Sequence, residues 1–269
     1  MQYGTGATAT GSIDLLLDIY QPDEPCSGNR PTVLFVHGGG FRSGDKDSGN
    51  VRFRAEEMNA RGFNFVSINY RLEPDVPVPS AEFAAVVDDI IADGFGDPTE
   101  PRLDAIAAAF EDTVTALNFL RDNQDTYCTD TSRLAFWGSS AGAFTVLQVA
   151  YGLNQFGIDR PEPRVVIDYW GALLRPSDLE VGEAPFLVIH GTEDNTVDYE
   201  NAVLLTNRAN IVAVSHAFYT VLGAGHGGRA TGIDTNTVDG QTLHEITFDF
   251  VEAHLTGGTP VYQTVEINP

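Results

Sequence analysis

Residues 133–144 read RLAFWGSSAGAF: five residues of strand character, a glycine and serine turn from Gly138 to Gly142, and then the opening of a helix. The segment RLAFW is short and nearly all apolar, which suits a strand covered on both faces of a sheet. Strand, sharp turn and helix in immediate succession form the repeating step of a mostly parallel sheet wrapped in helices. The step recurs in both directions from here. Upstream, IDLLLDIY (13–20) and TVLFV (32–36) predict strands, and VRFRAEEMNARG, stopped by Gly62, predicts a helix feeding the strand FNFVSINY. A helix follows over about 104–121, with Ile106, Phe110, Val114, Leu117 and Leu120 spaced three and four apart on one buried face. Downstream, RVVIDYW (164–170) and PFLVIHG (185–191) predict strands, and a helix near 199–209, a strand near 217–222 and a closing helix near 241–254 complete the alternation.

The chain of 269 residues suits one large α/β domain spanning 1–269. Residues 72–103 interrupt the rhythm with Pro74, Pro77, Pro79, Pro98, Gly94 and Gly96, and predict an inserted loop or cap in which SAEFAAVVDDIIADG forms a short amphipathic helix. With 15 Lys and Arg against 38 Asp and Glu, the formal charge of −23 repels phosphate backbones and anionic lipid surfaces, so neither nucleic acid nor a membrane is an expected partner. No apolar run reaches the roughly 20 residues needed to span a bilayer. The opening MQYGTGATATGS has neither a basic nor an apolar leader region. A mature secreted chain reads the same way, and a secreted or periplasmic address is set slightly ahead of a cytoplasmic one. Cys26 and Cys128 lie in polar, loop-like surroundings, and the sequence leaves open whether they pair; a bridge implies an oxidising compartment.

Ligands of open parallel sheets bind at the carboxyl ends of the strands, so the chemistry is sought there. Gly138, Ser139, Ser140, Ala141 and Gly142 spell GxSxG between strand and helix, a turn that raises Ser140 above the sheet edge. The helix opening at Ala141 aims its positive end and free N–H groups at the same point, favouring a developing oxyanion. A second strand ends in His37, Gly38, Gly39 and Gly40, where backbone N–H groups can approach a ligand unobstructed. A serine hydroxyl needs a base and an orienting acid. His226, in LGAGHGG just past a strand, is preferred over His37, His190, His216, His244 and His254. Past the strand PFLVIHG stand Glu193, Asp194 and Asp198; Asp194 lies deepest in the turn, Asp198 reads as a helix N-cap, and Glu193 is the reserve choice.

The order Ser140, Asp194, His226 and the segments DLLLDIYQP, HGGGFRSGDK, VSINYRL, WGSSAGAF, HGTEDNTV and GAGHGG resemble the α/β-hydrolase esterases and lipases with an HGGG motif, close to small bacterial carboxylesterases and hormone-sensitive-lipase-like enzymes. The resemblance implies an α/β-hydrolase fold with a mostly parallel central sheet, helices on both faces and a minimal cap. It implies an oxyanion hole from Gly39, Gly40 and the N–H of Ala141, a triad of Ser140, Asp194 and His226, and no cofactor. Two departures are visible: only about a dozen residues precede the first expected strand, and the 72–103 segment is longer than in the plainest members. The expected activity is hydrolysis of carboxylic esters through an acyl-enzyme. A thin cap suits short acyl chains or esters displayed on a larger body, such as acetylated or feruloylated polysaccharide or a polyester. The alternatives are a serine peptidase of the prolyl-oligopeptidase type and a non-catalytic binding protein on the same fold. The acidic loops DKDSGN (45–50) and DTNTVDG (234–240) read as solvated turns rather than calcium sites, since neither supplies a full ligand set.

Overall fold

The computed structural model describes residues 1–48, 50–95 and 97–269; Gly49 of the first acidic loop and Gly96 of the proline-broken segment lie outside the described residues. In chain order the strands are β1 (Gln2–Thr8), β2 (Gly11–Tyr20), β3 (Arg30–Val36), β4 (Asn64–Ile68), β5 (Thr129–Ser139), β6 (Val165–Tyr169), β7 (Phe186–Gly191), β8 (His216–Val221), β9 (Thr237–Val238), β10 (Gln241–Thr242) and β11 (Thr264–Ile267). Nine of them share one sheet in the order β1-β2-β4-β3-β5-β6-β7-β8-β11, and β9 with β10 forms a separate hairpin. The β1–β2 and β2–β4 pairs are antiparallel, and from β4 to β11 every pair is parallel. The first strand therefore begins at Gln2 rather than near residue 13, and a last strand follows the closing helix.

The helices are α1 (Val51–Ala60), α2 (Ala81–Ala92), α3 (Leu103–Asp122), the single turn α4 (Gln124–Tyr127), α5 (Ala141–Leu147), α6 (Glu200–Val212), the single turn α7 (Gly228–Thr231) and α8 (Leu243–Thr256). They bury the sheet from both sides, and the period of two along each strand divides the core accordingly. Leu34, Val36, Leu134, Phe136, Val166 and Val188 face α2, α3, α5 and α6. Val33, Phe35, Ala135, Trp137, Ile167 and Ile189 face α1 and α8. Two-sided burial is why these strands read as continuous apolar runs. The long α3 is buried beyond its expected stripe, with Ala105, Ala107, Ala108 and Ala109 also covered, because β1, α2 and α5 pack around it.

Two interactions pin the periphery. Arg71, at the exit of β4, is buried and donates to Asp112 and Glu111 of α3 and to the carbonyls of Ala7 and Val78, joining the edge hairpin and the 72–103 segment to the core. Cys26 and Cys128 are joined in a disulfide across a sequence separation of 102 residues, which settles the pairing that the sequence left open. Closing so long a loop removes much conformational freedom from the unfolded chain. The double variant Cys26→Ser/Cys128→Ser is expected to lose about 2–5 kcal/mol of unfolding free energy in urea titrations followed by circular dichroism.

Asp168, fully buried on β6, accepts the N–H of Gly171, and burial pushes its carboxyl up to about 7 against the pull of that hydrogen bond. An acid that holds its proton more tightly when folded adds stability that is fully present below its ordinary value of 3.8 and is lost as pH rises through about 7. Asp168→Asn keeps the shape and cannot titrate. Its melting temperature is expected to fall less than that of the native chain between those two pH values, as read by differential scanning calorimetry.

Candidate active site

The carboxyl ends of β3, β5, β7 and β8 carry His37, Ser140, Asp194 and His226, so the strand-end rule gathers all four at one rim of the sheet. Ser140 sits at φ 53 and ψ −123, a conformation rarely open to a side chain, and its N–H donates to the carbonyl of Tyr169 at 2.9 Å. Two glycines make the turn possible by close approach. A Cβ on Gly142 would fall 2.0 Å from the carbonyl oxygen of Val36, and one on Gly138 would fall 2.3 Å from that of Gly142. Any other residue at either position pushes α5 off the sheet.

The structure brings Ser140, His226 and Asp194 together. With the proton on Nδ1, His226 donates to Asp194 Oδ2 at 2.7 Å, and its Nε2 accepts from Ser140 Oγ at 2.8 Å. Asp194 is 7% exposed. Burial alone would raise its carboxyl, but the N–H groups of Val197 and Thr196, donating to Oδ1 at 3.0 and 2.8 Å, together with His226, outweigh burial and hold it below the ordinary carboxylate range. His190 Nε2 approaches the same carboxylate at 3.4 Å while donating to the carbonyl of Val197 at 2.9 Å. The other acids of this turn, Glu193 and Asp198, are exposed, and among the described residues neither carboxylate hydrogen-bonds to His226. The Glu193 backbone donates to the Ala224 carbonyl, and Asp198 accepts the N–H of Glu200 one residue ahead of Tyr199, which occupies the N-cap position of α6.

His37 is a loop-ordering residue in this structure. It donates from Nδ1 to the Gly38 carbonyl at 2.6 Å and stacks on Tyr70, whose hydroxyl donates to the His37 carbonyl. Burial lowers its pKa, so the ring stays neutral. Gly39 and Gly40 follow at φ 114 and 62, and Arg102 Nη1 holds the carbonyl of Gly40 at 3.0 Å. Among the described residues, the N–H groups of Gly39, Gly40 and Ala141 donate to no backbone carbonyl, which leaves them free for a ligand. His244, at the head of α8, donates instead to Asp234, and His254 accepts or donates at Tyr262, away from this rim.

Two cavities flank the turn. One of about 310 Å³ reaches Ser140 and Ala141 and is walled by Val87, Ile90 and Ile91 of α2, Phe95, Ile106 and Phe144. The 72–103 segment is therefore a wall of the site, a role its prolines and acidic pairs did not reveal. The other, about 620 Å³, reaches Ser139, Gly38 and Gly39 and is lined by Arg54, Trp170, Arg229 and Asp234. Sequence reasoning also missed Arg54. Its signal was present: Val51, Arg54, Ala55 and Met58 form a stripe at helical spacing in which one position carries a charge.

The family model described as BD-FAE matches residues 17–92 and 102–166, just over half of the chain. The phenmedipham hydrolase of Pseudarthrobacter oxydans is 31% identical over 138 residues, covering 51% of this chain and 23% of that protein. Carboxylesterase NlhH of Mycobacterium tuberculosis is 27% identical over 183 residues, covering 66% of this chain and 47% of the relative. The chain thus spans less than half the length of these curated relatives. Among solved structures, the propionate-bound thermophilic esterase Est2 of Thermogutta terrifontis superposes with a TM-score of 0.68 at 20% identity, over 96% of this chain and 93% of the other. The likeness shows the α/β-hydrolase fold.

Proposed function

The chain belongs to the BD-FAE family, and from that membership we propose that it is a serine carboxylesterase working through an acyl-enzyme. The observation that carries this reading is the unbroken run of hydrogen bonds from Ser140 Oγ through His226 to Asp194, at 2.8 and 2.7 Å. Ser140 attacks the ester carbonyl as His226 Nε2 takes its proton, and the buried Asp194 carboxylate stabilises the imidazolium that forms. The N–H groups of Gly39, Gly40 and Ala141 receive the oxyanion, assisted by the positive end of α5. His226 then protonates the leaving alcohol, and water repeats the sequence in reverse roles to release the acid.

The cavity of about 310 Å³ beside Ser140 supports a short hydrocarbon portion of the ester, since Val87, Ile90, Ile91, Phe95, Ile106 and Phe144 line it alongside the charged Asp97, Glu100, Arg102 and Asp198. The larger cavity, where Arg54, Arg229 and Asp234 stand beside Phe35 and Trp170, supports the remainder, which can belong to a small molecule or to a carbohydrate or polymer. The Cys26–Cys128 bridge supports an address in an oxidising compartment.

Ser140→Ala is expected to abolish turnover of p-nitrophenyl butyrate and to lose the mass shift that a fluorophosphonate probe leaves on Ser140 of the native chain. Retained activity in that variant would remove Ser140 from the mechanism. Asp194→Asn is expected to lower kcat by about four orders of magnitude, because an amide favours the wrong imidazole tautomer. Initial-rate assays on the same ester check it, and an unaffected rate would transfer the role to Glu193 or Asp198.

A further inference from the structure

Among the described residues four arginines are buried, and three of them meet hydrogen-bond acceptors, although Arg160 Nε and Arg175 Nη2 have none. Arg71 meets Asp112, Arg175 meets Asp178, and Arg160 donates to the carbonyls of Ile158 and Ala150 and to Asn154. Arg54 is the exception. It is 7% exposed, and among the described residues its guanidinium meets neither a carboxylate nor a hydrogen-bond acceptor. Its central carbon lies 5.0 Å from the ring centroid of Phe35, 5.5 Å from that of Trp137 and 5.7 Å from that of Tyr169. Those aromatic contacts offset part of the desolvation of the cation and supply no anion. A buried cation left in this state is expensive unless something from outside completes it.

The open side of Arg54 faces the 620 Å³ cavity that reaches Ser139 and Gly39. Arg229, exposed and in no ion pair among the described residues, lines the same space, so two of the chain's 15 basic side chains stand without partners on one wall. Asp234 is the one carboxylate lining this cavity among the described residues; it accepts from His244 and stands beyond ion-pair distance of Arg54. Trp170 adds an apolar ring beside His226, at 6.4 Å between centroids.

Resting on the esterase reading above, we propose that Arg54 is a specificity-determining residue whose guanidinium receives a carboxylate carried by the ester substrate. The planar fork of an arginine matches the two oxygens of a carboxylate, and rings packed against the guanidinium itself leave its edge for the ligand. Against a background charge of −23, an anionic ester is repelled until it reaches this point, so discrimination depends on the local contact rather than the overall field.

The test uses two matched pairs of esters, with kcat/KM divided by the rate of hydroxide hydrolysis. One pair, 4-carboxyphenyl butyrate against 4-methoxycarbonylphenyl butyrate, carries the charge on the alcohol side. The other, phenyl hydrogen adipate against phenyl hexanoate, carries it on the acyl side. In one pair the native chain is expected to favour the carboxylate on the order of tenfold or more, chiefly through KM. Arg54→Met is expected to bring that ratio to one or below. Calorimetric titration with benzoate and benzamide supplies a readout without turnover: benzoate alone is expected to bind the native chain. Ratios at or below one in both pairs, with no benzoate heat, would overturn the proposal even if Arg54→Met fails to fold. An unchanged ratio in a folded Arg54→Met would also overturn it. Absence of turnover on all four esters would sink the esterase reading, while benzoate binding would still report the carboxylate contact.

Discussion

A serine at φ 53 between the sheet's middle strand and its following helix is the constraint on which the rest of this molecule depends. Such a conformation costs about 1–3 kcal/mol and persists only where its surroundings over-determine it. Here they do. β5 has a strand on each side, Gly142 lies against the carbonyl of Val36 on β3, and the Ser140 N–H is held by Tyr169 on β6. The strain is thus carried by the part of the fold least able to relax. That placement aims Oγ at His226 in advance of any ligand, so little reorganisation remains when one arrives.

Two cavities flank that hydroxyl, and each mixes apolar with charged side chains. The smaller has α2 as one wall, and that helix packs on α3 and is held by Arg175, which donates to Asp89 of its last turn and to Asp93 at its exit, while Arg71 ties the segment ahead of it to α3. The larger carries two arginines, Arg54 and Arg229, that are in no ion pair among the described residues. An ester substrate, as proposed, meets the apolar side chains of α2 together with Asp97, Glu100 and Asp198 on one side, and Arg54 and Arg229 on the other. Asymmetry of this kind orients a substrate, because the wrong orientation buries an unpaired charge and leaves apolar surface wet.

Most of the parallel sheet was legible because its strands are covered on both faces and so read as short apolar runs, from TVLFV to PFLVIHG. The edges were not. β1, QYGTGAT, contains two glycines and alternates too weakly to stand out, and β11 has four residues whose pairing with β8 is decided by tertiary contact alone. Ser140, Asp194 and His226, which the structure brings together, could be singled out because each follows a strand in a glycine-rich or acidic turn, a positional rule that needs no knowledge of distant contacts. Arg54 escaped that rule, since it lies inside a helix, and although SAEFAAVVDDIIADG reads as an amphipathic helix, the sequence does not say that its apolar face lines the space beside Ser140. The disulfide could not be read, because one pair of cysteines offers no spacing pattern.

Arg54 and the residues singled out from the sequence differ in what they cost the fold. Asp194 is buried, yet three donors leave its negative charge satisfied, so its position is consistent with stability and with chemistry alike. Arg54 is equally buried, but its surroundings are rings and an open cavity. A methionine of similar length would fill the same space among Phe35, Trp137 and Tyr169 without desolvating a charge. A helix whose other inward positions are Val51, Ala55 and Met58 has no packing reason to place a guanidinium between them. The charge is intelligible as half of an ion pair whose other half arrives from solvent.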